Sequence, residues 1–281
     1  MHLQRIVLVI ALELFSCYLS LGQTQNIVTH PNKIDYRAVY QLDYRPDSAS
    51  TSRRIDNMNL DINPFASCFY NVVAAQEDSL INTLTMSSTH QEIQNLFDRV
   101  GTIPRPQNTY RIYKRCATGK NLYIEEISNK YYEQTTKTTD LKWKILSADT
   151  ATVSGYPCQK ATTSYAGRFY TAWFTRQLPF ADGPYKFSGL PGLIVDISDA
   201  RQDYHFKLTA VQKFSVVNQI VLPAYPTFSI PATVREIYAG QIKELYQIAN
   251  NQTGHNVPNS PQQRQSLLNK IKSRSNPIEL K

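Results

Sequence analysis

The chain has 281 residues, of which 42% are hydrophobic and 19% charged, a balance that does not suggest disorder over most of its length. The net charge of +8 would suit nucleic acid or an anionic surface if it were concentrated. It is not: the densest groups, Arg111-Lys114-Arg115 and Lys270-Lys272-Arg274, make no long basic stripe, and the pattern is that of a solvated face.

Met1 to Leu21 holds one strong positive charge, Arg5, followed by the apolar run Ile6 to Leu12, then Leu14-Phe15 and the triplet Ser20-Leu21-Gly22. This is the order of a secretory signal, and the run is shorter than the roughly 20 apolar residues of a membrane span. The text predicts a signal over residues 1–22, cleavage after Gly22, and export to the periplasm or the outer-membrane face. Leu14-Phe15-Ser16-Cys17 also resembles a lipoprotein cleavage box, which makes a lipid anchor at Cys17 the alternative. A single β-rich domain is expected over residues 23–250, with a polar, flexible tail over 251–281. Cys68, Cys116 and Cys158 remain after the signal. An oxidising compartment permits one pair, and Cys116 with Cys158, both in strand-like text, is the first choice.

Tyr36 to Leu42 and Met58 to Tyr70 read as extended. Between them and Tyr110 the text is ambiguous, apart from a short helix over His90 to Asp98, which Pro104 and Pro106 bound. From Tyr110 onward, short aromatic and β-branched runs alternate with turn residues. Half of the 18 tyrosines fall between Tyr110 and Tyr185, which suits a pleated surface. Ala166-Gly167 is a two-residue hairpin connection. Leu193, Val195 and Ile197 alternate with Asp196 and Ser198. Tyr204, Phe206 and Leu208 alternate with His205, Lys207 and Thr209, so each strand has one face on a core. Connections this short exclude crossover helices. The expected fold is mainly β: a single curved, antiparallel meander from Tyr36 to Ala210. A helix over Val234 to Ile248, with apolar residues at three- and four-residue spacing, packs against it.

The most distinctive text is Gly183-Pro184-Tyr185-Lys186-Phe187-Ser188-Gly189-Leu190-Pro191-Gly192-Leu193-Ile194. Pro184 and Pro191 fix the backbone. Gly183, Gly189 and Gly192 permit conformations or approaches that a side chain would block, with at least one glycine beside Pro191 expected at positive φ. The reading is a structural clamp that holds the following strand in register.

Gly189 to Ile194 is, letter for letter, the hexapeptide for which the GLPGLI family is named. Gly155-Tyr156-Pro157-Cys158-Gln159-Lys160-Ala161, the Gly167 to Thr175 strand and the ending Asn276-Pro277-Ile278-Glu279-Leu280 also resemble that family. Ser154 stands where the family usually has an apolar residue. The resemblance implies an origin in Bacteroidetes, export to the envelope, and genomic company of outer-membrane receptors. It implies no catalytic residues.

Nor does the sequence supply any by itself. There is no G-x-S-x-G elbow and no H-E-x-x-H helix, and the five histidines are widely spaced. No metal or cofactor is expected. Asp182, Asp196, Asp199 and Asp203 cluster around the hexapeptide and are the candidates for a carboxylate- or metal-dependent hydrolase, although Asp199 and Asp203 bracket a hairpin where aspartate is favoured anyway. His205, on the outward face, reads as solvated. The preferred reading is a binding or accessory protein for an apolar ligand or an outer-membrane receptor. Its candidate contact residues are Trp173, Tyr185, Phe187 and Leu190, with no role in nucleic-acid binding.

Overall fold

The computed structural model describes residues 34–81, 83–85, 87–103, 108–115, 119–127, 130–137, 141–214, 230–234, 236–237, 239–240, 261–262, 265, 268–269 and 275–280. The expected signal over 1–22, Cys17 and Cys116 lie outside them, as do residues 241–248 of the expected helix and most of the expected tail.

Strands β1 (Tyr36–Tyr44), β2 (Arg54–Ile62) and β3 (Ala66–Asn71) are followed by helices α1 (Val72–Ile81) and α2 (His90–Gly101). Then come β4 (Arg111–Arg115), β5 (Lys120–Ile127), β6 (Lys130–Lys137), β7 (Lys144–Val153), β8 (Tyr156–Tyr165), β9 (Arg168–Thr175), β10 (Leu193–Asp199), β11 (Tyr204–Lys213) and the two-residue β12 (Ile230–Pro231). All twelve lie in one sheet, ordered β12-β6-β5-β4-β3-β2-β1-β11-β10-β9-β8-β7. Every pairing is antiparallel except β12 with β6.

The fold is therefore mainly β, as expected, but it is not one meander. Two meanders, β1 to β6 and β7 to β11, join where β1 pairs with β11, Tyr36 opposite Lys213 and Tyr44 opposite Tyr204. β6 and β7 do not pair, so the closing contact is made by the first strand of the set. The chain must bring distant segments together for this pairing, and period-two alternation carries no information about which neighbour a strand takes.

The alternation itself is clear. Ala38, Tyr40, Leu42 and Tyr44 of β1, Met58, Leu60 and Ile62 of β2, and Tyr204, Phe206 and Leu208 of β11 share one buried face. A bulge sets Val39 opposite Ala210 but Tyr40 opposite Leu208, leaving Thr209 as the extra residue, and its hydroxyl donates to the Val39 carbonyl at 3.1 Å. A second bulge at Val195 pairs Ile194 with Phe174 and Asp196 with Trp173. The simple set Leu193, Val195, Ile197 is thus interrupted, and Leu193, Ile194, Val195 and Ile197 are all fully buried.

The helix position is a correction. Both helices with assigned bounds lie between β3 and β4, not at the C-terminal end. Of the helix expected over Val234 to Ile248, residues 234, 236–237 and 239–240 are described as helical, and Val234 and Ile237 are buried. α2 starts on a capping box: the Thr89 hydroxyl accepts from the Glu92 amide at 3.3 Å, and the Glu92 carboxylate accepts from the Thr89 amide at 2.8 Å. α1 begins after Asn71, whose side-chain oxygen accepts from the Val73 and Ala74 amides at 2.9 and 3.2 Å.

Of the expected Cys116–Cys158 pair, only Cys158 is among the described residues. Cys158 is a free, buried thiol that donates to the Tyr156 carbonyl at 3.3 Å, and Cys68 is also free. Burial pushes the Cys68 thiol up to about 12.

Candidate functional site

Two stretches of chain lie on the buried face of the sheet, and the charged side chains of that face are used to hold them. The first is the loop between β9 and β10. It is laced to itself and to β10 by backbone bonds, Gly189 N–H to Ala181 O at 3.0 Å and Ile194 N–H to Asp182 O at 2.9 Å. Lys114, one position before the end of β4, anchors it. Its ammonium donates to the Asp182 carboxylate at 2.6 Å, to the Phe187 carbonyl at 3.2 Å, and to the Gly183 carbonyl. Both charged groups are almost wholly buried, so pairing and full use of the three ammonium protons offset their desolvation. Tyr40 donates its hydroxyl to the Ile194 carbonyl at 2.7 Å, and the Trp143 indole donates to the Ser188 carbonyl at 2.8 Å.

The glycines are required by this path. Gly192 has φ +147°, and a Cβ there would sit 2.1 Å from the Thr175 carbonyl oxygen. Gly189 has φ +93° with open space around it, and a Cβ on Gly183 would lie 2.8 Å from the Ile194 side chain. Tyr185, a buried aromatic, is itself left-handed at φ +51°, a conformation that persists only where the surroundings impose it. Its ring meets Tyr110 edge-on at 5.5 Å, and Phe187 meets Tyr170 at 4.6 Å.

The second stretch is the chain end. The last residues of the segment read as a flexible tail are docked: Asn276, Ile278 and Glu279 are buried. Arg168, first residue of β9, receives them. Its guanidinium donates to Asn276 Oδ1 at 2.6 Å, to the Pro277 carbonyl at 2.7 Å and to the Ile278 carbonyl at 3.1 Å. The remaining nitrogen bridges Asp199 and Asp203 at 3.0 and 2.9 Å. The Tyr204 hydroxyl donates to the Asn276 carbonyl at 2.6 Å. One step on, the Glu279 carboxylate accepts from Lys186 at 2.8 Å, Tyr185 at 2.7 Å and Tyr165 at 3.1 Å. The Leu280 amide donates to the Ala166 carbonyl in the β8–β9 turn at 2.8 Å. That turn is the expected tight hairpin, with Ala166 and Gly167 at φ +47° and +84°. Burial pulls the Lys186 ammonium below its ordinary value, and the Glu279 charge opposes this. Burial also raises the Asp203 carboxyl, but bonds from Arg168, Arg45 and Asn276 outweigh it and leave the group below its usual value.

The sequence candidates fall into these sites unevenly. Of the contact residues, Tyr185, Phe187 and Leu190 are core residues and offer no outer surface. Trp173 stays half-buried on the other face, with the Lys160 ammonium 5.7 Å from its ring centre. The four aspartates do not share a pocket: Asp182 pairs with Lys114, Asp199 and Asp203 with Arg168, and Asp196 with His205 Nε2 at 2.8 Å. Among the described residues, no three His, Cys, Asp or Glu side chains gather as a metal site needs. Lys114, Arg168, Lys186 and Glu279 were not singled out from sequence. Arg168 lies in the Gly167 to Thr175 strand, Glu279 in the Asn276 to Leu280 ending, Lys186 in the distinctive loop and Lys114 in a basic group, but nothing local links any of them to its partner.

Comparison with curated protein sequences gives no match. Among solved structures, PNGF-II is similar at TM-score 0.49 and 13% identity, over 75% of this chain and 33% of that one, so this chain spans about a third of its length. The Pseudomonas aeruginosa MucA/MucB complex is similar at TM-score 0.31 and 5% identity, over 68% of this chain and 55% of the other. Residues 165–196, which run from the β8–β9 turn through the hexapeptide into β10, match the family described as "Protein of unknown function (Porph_ging)".

Proposed function

We propose that this chain is an exported envelope protein with a binding or accessory role, and that its partner is another protein. One observation carries the reading. The buried face of the sheet already holds a stretch of peptide, Ser275 to Leu280, through carbonyl, amide and carboxylate contacts that depend on peptide chemistry. The apolar-ligand version has less support, because Tyr185, Phe187 and Leu190 are occupied as core. The hydrolase alternative needs carboxylates turned toward one open pocket, whereas Asp182, Asp199 and Asp203 are paired with Lys114 and Arg168 and Asp196 is bonded to the His205 ring. Export is proposed from the signal text of residues 1–22, and an outer-membrane receptor as partner from the resemblance to the GLPGLI family.

The test is crosslinking of a tagged full-length chain in its native host, followed by purification from the envelope and mass spectrometry. A protein recovered in near-stoichiometric amount supports the reading. A lipid recovered in that amount with no protein overturns it.

A further inference from the structure

Residues Ser275 to Leu280 sit in the fold as a ligand would. Each bond that holds them reaches far along the chain, the shortest separation being the 72 positions between Tyr204 and Asn276. The partners come from separate elements: the end of β1, the β8–β9 turn, the loop, and β11. Pro46 accepts from the Ser275 and Asn276 amides at 3.1 and 3.0 Å, and Arg45 accepts from the Asn276 side-chain amide at 2.7 Å.

We propose that this groove is a peptide-recognition site, filled in cis by Ser275 to Leu280, that takes segments of the form Asn-Pro-aliphatic-Glu, bent at the aliphatic residue as the chain is at Ile278, from a partner protein. The inference rests on the protein-binding reading and names the chemistry of the partner. The guanidinium fork of Arg168 reads three successive oxygens, and it does so beside a proline, which has no N–H to satisfy. Position four is read by an ammonium and two phenols that converge on one carboxylate oxygen, a set of donors that an alkyl group cannot meet and that an amide oxygen meets only without the charge. Position three is buried, and position five is lightly constrained, since Leu280 stays 38% exposed. The tail is a tethered competitor. Being part of the same chain, it competes at a fixed effective concentration, so a partner segment enters only when it binds better than the tail or when the tail is loosened.

The test uses the full-length chain and a fluorescent synthetic peptide spanning Ser273 to Lys281, read by anisotropy. Glu279→Ala in the chain loosens the tail without altering the groove. That variant should bind the peptide at least about tenfold more tightly than the wild-type chain does. Lys186→Met added to it should abolish the gain, and a peptide carrying Glu279→Ala should bind neither chain. Binding that ignores the peptide glutamate, or no binding to a folded Glu279→Ala chain, overturns the proposal. So does a doubling of mass in Glu279→Ala that consumes the site by exchange between copies. If Glu279→Ala does not fold, the wild-type chain titrated to about millimolar peptide gives the same decision. Saturable, glutamate-dependent binding supports the site, and a linear rise overturns it. A chain that fails here but still recovers a protein from the envelope loses this site and keeps the broader reading.

Discussion

The Arg168 guanidinium lies 2.6 Å from the side-chain oxygen of Asn276, 108 positions later in the chain. The same side chain holds Asp199 and Asp203, so it joins the β10–β11 turn to the docked end of the molecule. Its charge is matched twice and its donors are used on both sides. Removing it leaves Asp199 without a cation and Asp203 with Arg45 alone, and strips the donors from three acceptors on the tail.

Arg168→Ala should therefore cost on the order of 3–5 kcal/mol, the range for breaking a buried ion pair from one side. Urea unfolding of the variant against wild type measures it. Arg168→Lys should recover only part, because a point ammonium cannot span the carboxylates and the tail carbonyls together. A loss below about 1 kcal/mol for Arg168→Ala would show that the cluster is solvated in practice.

Stability should also fall in acid through this cluster. The Asp203 carboxyl binds its proton less readily folded than unfolded. Such a group stabilises the fold at pH values above its unfolded pKa, and the contribution is lost as the pH drops through the lower, folded value. Melting temperature measured from pH 6 down to pH 2 should decline most steeply below about pH 4. Asp203→Asn should start from a lower melting temperature at neutral pH and show a shallower acid slope. An acid slope identical in the two proteins would remove Asp203 from the explanation.

The three loop glycines should rank by what a methyl group would meet. Gly192→Ala places Cβ against the Thr175 backbone at 2.1 Å and keeps φ at +147°, so it must displace β9 or β10 and should be the most damaging. Gly189→Ala has room and suffers only from its φ of +93°, a cost of about 1–2 kcal/mol. Gly183→Ala meets Ile194 at both its Cβ and its Cδ1, 2.8 Å away; the Cβ moves only with its backbone, so the loop or β10 must shift and this variant should also be destabilised. Thermal melts of the three variants check the order, and a Gly192→Ala protein that melts like wild type would contradict the clamp.

Much of the local structure was legible in the sequence, and the long-range structure was not. Alternation marked β11 correctly, and Ala166-Gly167 announced its hairpin. Leu193 to Ile197 showed its strand but hid the bulge at Val195, because all four apolar residues are buried and either phase fits. α1 left no signal: it buries no residue, so its text has no apolar stripe. Lys114 read as part of a solvated face, and nothing in the text around Arg168 or Glu279 marked either as buried, since such residues are rarely buried unpaired. Their partners lie 68, 108 and 93 positions away in the pairs Lys114–Asp182, Arg168–Asn276 and Glu279–Lys186. No local pattern encodes those distances.

The Lys114–Asp182 pair gives the sharpest test of the loop as a clamp, because its two halves can be removed separately and together. Lys114→Met keeps the stem volume and deletes the charge, leaving Asp182 buried without its cation and the Gly183 and Phe187 carbonyls without their donor. The expected loss is on the order of 3–5 kcal/mol. Asp182→Asn leaves the ammonium with two carbonyls and an amide oxygen, so it should cost less. In the double variant no buried charge remains uncompensated, and only the two carbonyls stay unmet, at about 1–3 kcal/mol each. The double loss should fall short of the sum of the single losses by more than about 1 kcal/mol. Urea unfolding of the four proteins closes the cycle. Strict additivity would mean that the two groups act independently, and that the loop is held by its backbone bonds and glycines without the help of the buried pair.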